Sequence, residues 1–388
     1  MTGHEPSMHA PAEVVIVGGG VAALEALIAL YELAPRRVHV TLLAPEADFV
    51  YRPLAVSEPF GLAARTRRPL ARVARDFAAD HVCDAVVEVD TTASLVRCQS
   101  GAEYPYDSLI VAPGARAEPA FEHAVTIGDE AAFDALHGIL ADLETGHVKR
   151  LAFVAPSDSV WSLPLYELAL LTAEDAWSMC IDDARLVVIS AEERPLGLFG
   201  HAASEQLEEL LARRGIEFIG GSRPDVRRGE VVVGDRRIAV DRTFALPVLR
   251  GPGLAGLPAD PHGFIPVDMH GRVEGFHDVF AAGDATTFPL KQGGIAAQQA
   301  EAAAEAVAAR HGCAIEPEPF RPVLRGKLVT REPDLYLESH IAGGAGEGAA
   351  GRRPLWWPPA KIAARRLGPY LYGAEEAERA HRADVSVG

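Results

Sequence analysis

The sequence contains little cysteine and no cysteine motif. Its four cysteines, Cys83, Cys98, Cys180 and Cys313, stand far apart, with neither a CxxC pair nor the spacing of metal ligands. A zinc site built from cysteines and a redox-active CxxC or CxxxxC disulfide are therefore excluded, and we expect no bound metal. Each cysteine is best interpreted as a small, largely buried side chain in a reducing compartment.

Long apolar runs and an excess of basic residues are also absent. No uninterrupted apolar run approaches the roughly 20 residues that span a bilayer, and the first residues lack the regions of a secretory signal. Lys and Arg total 37 against 54 Asp and Glu, giving a net charge of −17. Nucleic acid is therefore not expected as a partner, because its phosphates require a basic surface. We expect a cytoplasmic protein that could still lie peripherally on the inner face of a membrane.

The chain does contain a clear nucleotide-binding pattern at its start. The stretch VVIVGGGVAALEALIALYEL (14–33) places an apolar strand before three glycines and a helical pattern, and a second strand, VHVTLLA, follows. In this GxGxxA pattern Gly18 permits the tight turn, Gly20 lets the backbone approach a pyrophosphate, and Ala23 lets helix and strand pack closely. The alternative, a glycine turn without a ligand, does not explain the strand–helix–strand context.

The acidic residue that usually ends the second strand is displaced in this chain. Ala44 stands at that place, and Glu46 follows two residues later in LLAPEADF. We assign the ribose contact to Glu46, with a surface carboxylate as the equal alternative. Arg52, in FVYRPL, is expected to face either the phosphates or the flavin ring of the cofactor discussed next.

Two later segments indicate which dinucleotide binds. YDSLIVAPGA (106–115) is a strand that ends in a small-residue turn, and VFAAGDATTF (279–288) leads through Gly283 and Asp284 into a long alanine-rich helix. An Asp in this position can accept a hydrogen bond from a ribityl hydroxyl, and the helix N-terminus can favour the anionic reduced flavin.

Together with VIVGGGVAALEAL, these motifs resemble the FAD signatures of the flavoprotein superfamily with two dinucleotide-binding domains. That superfamily includes glutathione reductase, type II NADH dehydrogenase and sulfide:quinone oxidoreductase. The resemblance covers about residues 12–312 and implies FAD as the cofactor. The residues expected to contact FAD are Gly18, Gly20, Val21, Ala22, Glu46, Arg52, Val86, Ala112, Gly114, Gly283, Asp284, Gly294 and Ile295.

The fold class implied is α/β, with two doubly wound Rossmann-like domains and a C-terminal cap segment. The FAD domain is expected to be discontinuous, over 11–115 and 262–313. Residues 116–261 alternate strands and helices and are expected to form an NAD(P)-binding-like domain. Residues 314–388 are expected to form the cap.

The second domain lacks the glycines of a phosphate loop. The turn after the strand RLAFVA reads APSDSVW (155–161), in which Pro156 removes a backbone donor and Asp158 adds negative charge. A usual NAD(P)H cradle is therefore not expected. Glu192, after the strand RLVVIS, resembles a ribose-binding acid, with a structural carboxylate as the equal alternative.

The following segment, WSLPLYELAL, resembles the Pro-x-Tyr-Glu segment of sulfide:quinone oxidoreductases and flavocytochrome c sulfide dehydrogenases, through Pro164, Tyr166 and Glu167. LKQGGIAAQQA resembles their lysine–glycine segment beside the flavin, through Lys291. In that family a catalytic cysteine precedes the Pro-x-Tyr-Glu segment, and here Trp161 stands there instead. The resemblance in fold therefore does not extend to the sulfur chemistry.

Three residues are candidates for catalysis. Trp161 could stack on a substrate or on the flavin, or else fill a seam between domains. Glu167 could act as an acid or base at the flavin, or be a satisfied helix carboxylate. Lys291 could stabilise negative charge on the reduced flavin, or be a solvated lysine.

The C-terminal segment differs in charge from the rest of the chain. Residues 352–373 carry five basic and no acidic side chains, with Trp356, Trp357, Tyr370 and Tyr372 among them. Such a pattern favours contact through 352–372 with anionic lipid, a homodimer interface, or a cover over the flavin pocket.

The sequence thus predicts a FAD-dependent oxidoreductase that passes electrons from a small donor to a quinone or another small acceptor. One alternative is an NADH:quinone dehydrogenase of the type II kind with a divergent nicotinamide site. Another is a flavin-binding regulatory protein without turnover.

Overall fold

The structure, a computed structural model, describes residues 10–62, 66–128, 130–156, 161–341 and 348–376. The helices are α1 (Val21–Leu33), α2 (Leu70–Asp76), α3 (Glu130–Glu144), α4 (Leu163–Ser178), α5 (His201–Arg213) and α6 (Gly293–Arg310). Short 3-10 segments cover Arg52–Phe60, Gly197–Phe199 and Gly283–Ala285, and residues 367–376 are helical. The strands are β1 (Ala12–Val17), β2 (Val38–Ala44), β3 (Asp48–Val50), β4 (Arg67–Pro69), β5 (Asp80–Cys83), β6 (Val86–Asp90), β7 (Leu95–Cys98), β8 (Glu103–Pro105), β9 (Ser108–Val111), β10 (Arg116–Glu118), β11 (Val125–Thr126), β12 (Arg150–Val154), β13 (Arg185–Ile189), β14 (Ile216–Ile219), β15 (Asp225–Arg227), β16 (Glu230–Val233), β17 (Arg236–Ala239), β18 (Arg242–Ala245), β19 (Val248–Arg250), β20 (Val279–Ala281), β21 (Val323–Leu328), β22 (Leu335–His340) and β23 (Ala349–Gly351).

The first sheet is parallel and has the order β20–β9–β1–β2–β5. Strand β1 is apolar along its length because both faces of the sheet are covered. Val14 and Ile16 pack with α1 and α6, whereas Val15 and Val17 pack on the opposite side. Strand β20 joins this sheet from far along the chain, so the first unit is discontinuous in sequence.

The second sheet is also parallel, with the order β11–β18–β12–β13–β14. Helices α4 and α5 pack on one face, and the antiparallel sheet β15–β16–β17 packs on the other. Two doubly wound α/β units are thereby confirmed. The exact domain bounds at residues 115–116 and 261–262 stay a prediction.

The C-terminal segment contacts both units. The antiparallel sheet β21–β22–β23 contributes leucines to the core around α4. Further along, Ile362, Ala364, Leu367 and Leu371 pack against α1 and α6. None of the helices in the described parts of the chain is both long and apolar enough to cross a membrane.

Candidate functional site

The predicted pyrophosphate loop lies at the carboxyl edge of the first sheet. Gly18 follows β1 and donates its N–H to Leu43 O at 2.7 Å, while Ala112 follows β9 and donates its N–H to Val17 O at 2.8 Å. Gly283 follows β20. Because parallel strands end at the same edge, residues far apart in sequence meet where a dinucleotide binds in such sheets.

Two glycines of the loop have different roles. Gly18 has φ of 116°, and a Cβ built there would lie 2.2 Å from Ala112 O, so this glycine allows two strand ends to approach. A Cβ at Gly20 would meet nothing within 4 Å, and no side chain caps the N-terminus of α1 that Gly20 opens. The space and the exposed N–H groups at Gly20 fit a pyrophosphate.

The remaining predicted contacts of this part lie around the loop. Val21 begins α1, and Ala22 lies beside Gly283, whose Cβ would be 3.0 Å from Ala22 Cβ. Glu46 is exposed in the turn after β2, and Val86 begins β6 and is partly buried. Gly114 has φ of 78° with open space at its Cβ position.

A central cavity of about 980 Å³ lies between the two units and the C-terminal segment. Its lining residues include one acidic side chain, Asp284, five basic ones and a mostly apolar wall contributed by the second unit. The basic residues are Arg52, Arg67, Lys291, Lys327 and Lys361, and the apolar wall includes Ile127, Trp161, Leu163, Leu246 and Leu249. In a protein of net charge −17, this cavity concentrates positive charge.

Asp284 and Lys291 lie together on the cavity wall. Burial raises the pKa of Asp284 to about 6, against the opposing effect of the Lys291 ammonium. Among the described residues, no hydrogen bond reaches the Asp284 carboxylate, so it is available to a ligand hydroxyl. Burial lowers the pKa of Lys291 to about 8; its Nζ donates to Thr286 O and lies 3.8 Å from the ring centroid of Phe264.

The N-terminus of α6 is partly satisfied by its own chain. Gln292 Oε1 accepts the Ile295 N–H at 2.9 Å, and Gln292 Nε2 donates to Arg325 O at 3.0 Å. Ile295 and Gly294 are buried behind this cap, whereas Gly293 lines the cavity. The contacts of Gly294 and Ile295 with the flavin stay a prediction.

The structure separates the other two catalytic candidates. Trp161 lines the cavity and packs edge-on against Phe199, with ring centroids 5.8 Å apart. Glu167 is fully buried and does not line the cavity; its Oε1 accepts the Val329 N–H at 2.7 Å, and its Oε2 lies 2.6 Å from Lys361 Nζ. Burial raises the pKa of Glu167, although Lys361 and the Val329 N–H act to lower it. Any acid–base role of Glu167 in the cavity must pass through Lys361.

Lys361 was not singled out as a site residue from the sequence. Its side chain is 6% exposed, and its Nζ also donates to Pro53 O at 3.0 Å. Of the five basic residues of 352–373, Lys361 and Arg366 are buried in ion pairs. The one available signal was the position of Lys361 between apolar residues in PPAKIAA.

A smaller apolar pocket of about 240 Å³ adjoins the central cavity. The two spaces share Lys327, Lys361 and Ile362. The rest of the pocket wall comes mainly from the C-terminal segment, through Pro359, Ala360, Ala364, Leu367, Gly368, Leu371, Tyr372 and Glu375, with Tyr51 and Leu54 opposite. We call this space the apolar pocket.

The second unit uses its candidate ribose acid internally. Glu192 Oε2 accepts the Tyr166 hydroxyl at 2.7 Å and the Ser190 hydroxyl at 3.2 Å. Burial raises the pKa of Glu192, while hydrogen bonds from Tyr166, Ser162 and Ser190 act to lower it. A carboxylate with these partners is already satisfied. The turn that lacks glycine falls largely on residues 157–160, outside the described residues.

The cysteines do not take part in the site. Cys83, Cys98, Cys180 and Cys313 are unpaired, and none of them lines the central cavity. Within the described ranges, no group of three or more His, Cys, Asp or Glu side chains is arranged to hold a metal ion.

The chain was compared with protein-family models and with curated protein sequences. The family model described as pyridine nucleotide-disulphide oxidoreductase matches residues 12–138 and 169–308, more than half of the chain. A comparison with curated protein sequences finds no significant match.

Several solved structures have a similar fold. The sulfide:quinone oxidoreductase of the hyperthermophilic bacterium Aquifex aeolicus is 20% identical with a TM-score of 0.79, covering 88% of this chain and 87% of that one. Putidaredoxin reductase, in its covalent complex with putidaredoxin, is 17% identical with a TM-score of 0.64, covering 86% and 83%. The water-forming NADH oxidase of Lactobacillus brevis is 15% identical with a TM-score of 0.61, covering 85% and 75%. At these identities the likeness concerns the fold.

Proposed function

The chain belongs to the pyridine nucleotide-disulphide oxidoreductase family and is a flavin-dependent oxidoreductase with FAD as its cofactor, and from this premise we propose that it passes electrons from a small, non-nicotinamide donor to a quinone. When bound, FAD supplies a two-electron carrier between donor and acceptor. The protein supplies the binding, orientation and proton-holding groups.

The apolar pocket carries the proposal for the acceptor. Its wall is mainly aliphatic, and it meets the central cavity at two lysines, Lys327 and Lys361. A quinone has an apolar ring and two carbonyl oxygens that need hydrogen-bond donors, so an apolar pocket with ammonium groups at one end suits it. Polar and charged acceptors would lose hydration on this wall without replacement.

Lys361 and Glu167 can hold a proton where the reduced acceptor needs one. Lys361 lines both spaces, and Glu167 Oε2 lies 2.6 Å from its Nζ. Once Lys361 has given up its proton, Glu167 can take up a proton and return it to the Lys361 amine, while Glu167 Oε1 keeps the Val329 N–H. We assign Lys361 as the proton donor to the quinone oxygen and Glu167 as its partner.

Lys291 and Trp161 belong to the donor side in this proposal. Lys291 places positive charge beside Asp284, where it would stabilise negative charge on a reduced cofactor. Trp161 and the apolar wall of the second unit face the same cavity. The donor has no cysteine partner in this wall, which disfavours a persulfide route.

The alternative of a type II NADH dehydrogenase is less well supported. The carboxylate of Glu192, the candidate for ribose binding, is held by Tyr166 and Ser190. A nicotinamide dinucleotide would have to break these hydrogen bonds, which costs free energy. Because the glycines of a phosphate loop are missing, phosphate binding would not offset this cost.

The route of a quinone to the apolar pocket is proposed to pass through a membrane-facing surface at 352–372. Trp357 is 73% exposed, Leu355 is 38% exposed, and Arg352 and Arg353 are also exposed. Trp357 packs edge-on against Tyr372 of the pocket wall, with ring centroids 5.3 Å apart. Aromatic and basic side chains in this arrangement suit an anionic lipid surface. A homodimer interface would use the same residues.

An anaerobic experiment tests both ends of the proposal. We expect NADH and NADPH to leave the visible flavin absorbance oxidised, dithionite to bleach it, and decylubiquinone to restore it within seconds. Gly368→Val should slow this reoxidation about tenfold or more, because it narrows the apolar pocket. A Cβ at Gly368 would meet nothing closer than 3.6 Å, so the fold should accept the change.

Gly373→Val is the matched control, since Gly373 lies in the same terminal helix, is exposed and does not line the pocket. Rapid bleaching by NADH would favour the type II dehydrogenase. Equal slowing by both variants would remove the pocket from the electron path. A flavin that no donor reduces and no quinone reoxidises would favour the regulatory protein.

The binding of FAD is expected to depend on pH through Asp284. Its carboxyl group accepts a hydrogen bond from a ligand hydroxyl more strongly when ionised, and its pKa in the protein is about 6. FAD affinity should therefore be constant above that pH and fall by up to about tenfold per unit below it. Asp284→Asn should weaken binding about 10- to 100-fold at neutral pH and abolish the dependence. Fluorescence titration of the apoprotein measures both, and an unchanged pH profile in the variant would assign the effect to another group.

A further inference from the structure

The last part of the described chain, residues 361–376, forms a wall of both cavities. It supplies Lys361 and Ile362 to the central cavity and most of the aliphatic wall of the apolar pocket. The groups that hold this segment on the rest of the protein therefore also hold part of the wall of both spaces. We call residues 361–376 the closing segment.

The closing segment is held by a buried carboxylate of the first unit. Glu25 lies on α1, is fully buried, and points at the beginning of the helix at residues 367–376. Its Oε1 accepts the Arg366 N–H at 2.9 Å, and its Oε2 accepts the Leu367 N–H at 2.7 Å. A carboxylate that accepts two N–H groups at a helix start satisfies donors that have no intrahelical partner.

A second carboxyl group lies at the same arginine. Glu301 lies on α6, which packs along α1, and both Glu25 and Glu301 accept a hydrogen bond from Arg366. Arg366 Nη1 donates to Glu301 Oε1 at 2.9 Å, and Arg366 Nε donates to Glu32 Oε2 at 2.8 Å. Two ionised carboxylates in this buried setting would repel each other, and the pKa of each group is raised, mainly by burial.

The charged groups that face Glu301, on α6, come from two elements. Glu25 is on α1, and Arg365 and Arg366 are on the closing segment, where Arg366 also pairs with Glu32 of α1. Burial, and then the neighbouring Glu25, raise the pKa of Glu301 to about 7, although Arg366 and Arg365 act to lower it. The bound proton is thus exchanged within the range of ordinary solution pH.

We propose that Glu25 and Glu301 form a proton-dependent clasp that holds the closing segment against α1 and α6, and that loss of the proton bound by this pair opens the apolar pocket. The role of the opening in acceptor entry rests on the proposed function. The clasp itself depends only on the contacts between α1, α6 and the closing segment.

The sign of the pH dependence follows from the pKa of Glu301. In the open form, the carboxyl group is in solvent and returns towards its ordinary pKa of 4.5, whereas in the closed form it is about 7. Below 4.5 both forms hold the proton and closure is strongest. As the pH rises through this window the closed form loses its advantage, and above 7 the closing equilibrium is weaker by at most about 300-fold.

Hydrogen exchange of the FAD-loaded full chain, measured by mass spectrometry from about pH 5 to 8, tests the clasp. After correction for the intrinsic exchange rate, we expect protection of the closing segment to fall as the pH rises, while the core strand β1 stays protected. Glu301→Gln fixes an uncharged, isosteric side chain that can still accept a hydrogen bond from Arg366. Its closing segment should stay protected across the whole range.

Glu305→Gln is the matched control, because Glu305 lies one turn further along α6 and accepts the Glu318 N–H instead. This variant should keep the pH profile of the unaltered protein. A flat profile in the unaltered protein overturns the clasp without any variant, and so does a fall in Glu301→Gln as steep as in the unaltered chain. The hydrogen-exchange experiment contains no electron donor or acceptor. Its result therefore does not depend on whether quinone reoxidises the flavin.

Discussion

Lys361→Met is expected to lower the free energy of unfolding by about 3–5 kcal/mol, because it leaves a buried charge without its partner. Glu167 is fully buried, and Lys361 Nζ at 2.6 Å is the cation that compensates it. Without Lys361, Glu167 must either remain ionised among leucines or take up a proton from solution. The loss should therefore be larger at pH 8 than at pH 5, since protonation becomes harder as the pH rises.

The double variant Glu167→Gln with Lys361→Met separates the pair from its setting. Both charges are then absent, and the amide oxygen at position 167 can still accept the Val329 N–H. We therefore expect the double variant to recover about half or more of the stability that Lys361→Met loses. Lys149→Met is the control for a surface pair: Lys149 and Asp183 are about half exposed, and its loss should cost about 1 kcal/mol or less. Urea unfolding of the FAD-free proteins measures all three. A loss for Lys361→Met no larger than for Lys149→Met would show that Glu167 has another partner.

Lys361→Met should also affect reoxidation of the flavin without affecting its reduction. If Lys361 donates the proton to the acceptor, quinone should reoxidise the flavin of Lys361→Met about 100-fold more slowly, within the usual range for general acids. Chemical reduction of its flavin by dithionite should be unaffected. Equal rates of reoxidation in the two proteins would leave Lys361 with a structural role alone.

Gly18→Ala is expected to abolish FAD binding and to destabilise the apoprotein by several kcal/mol. The positive φ of 116° already disfavours a side chain, by about 1–2 kcal/mol. The larger effect is that the new Cβ would lie 2.2 Å from Ala112 O and 2.6 Å from Ala112 C, both backbone atoms. Strands β1 and β9 must then move apart, and the edge at which Gly283 also lies is distorted.

Gly20→Ala gives the contrasting result. Its Cβ would meet no protein atom within 4 Å, so the apoprotein should keep its thermal midpoint. The methyl group would instead enter the space assigned to the pyrophosphate, and FAD affinity should fall about tenfold or more. Thermal melting of the apoproteins and FAD titration distinguish the two changes. Loss of stability in Gly20→Ala, or full FAD binding by Gly18→Ala, would contradict the roles given to these glycines.

Contacts between residues that are far apart in sequence determine the arrangement of the site, and the sequence pattern does not predict these contacts. From the sequence, Glu167 could act at the flavin or be a satisfied helix carboxylate, and the basic residues of 352–373 could contact lipid, a second subunit or the flavin pocket. The structure places Glu167 behind Lys361 and joins Arg366 to Glu301 and Glu32. A helix carboxylate and its cation lie far apart along the chain here, and periodicity gives only which face of its helix the carboxylate occupies.

By itself, the sequence determined the family, the cofactor and the two α/β units, because these depend on local features. A buried parallel strand is a short apolar run, and a phosphate loop needs glycines within a few residues of it. Only the tertiary structure decided that Glu192 is satisfied by Tyr166, that Gln292 caps α6, and that Glu25 and Glu301 both accept from Arg366. Whether a buried polar group is free for a ligand or occupied by its own chain depends on long-range packing, and burial makes that difference large in free energy.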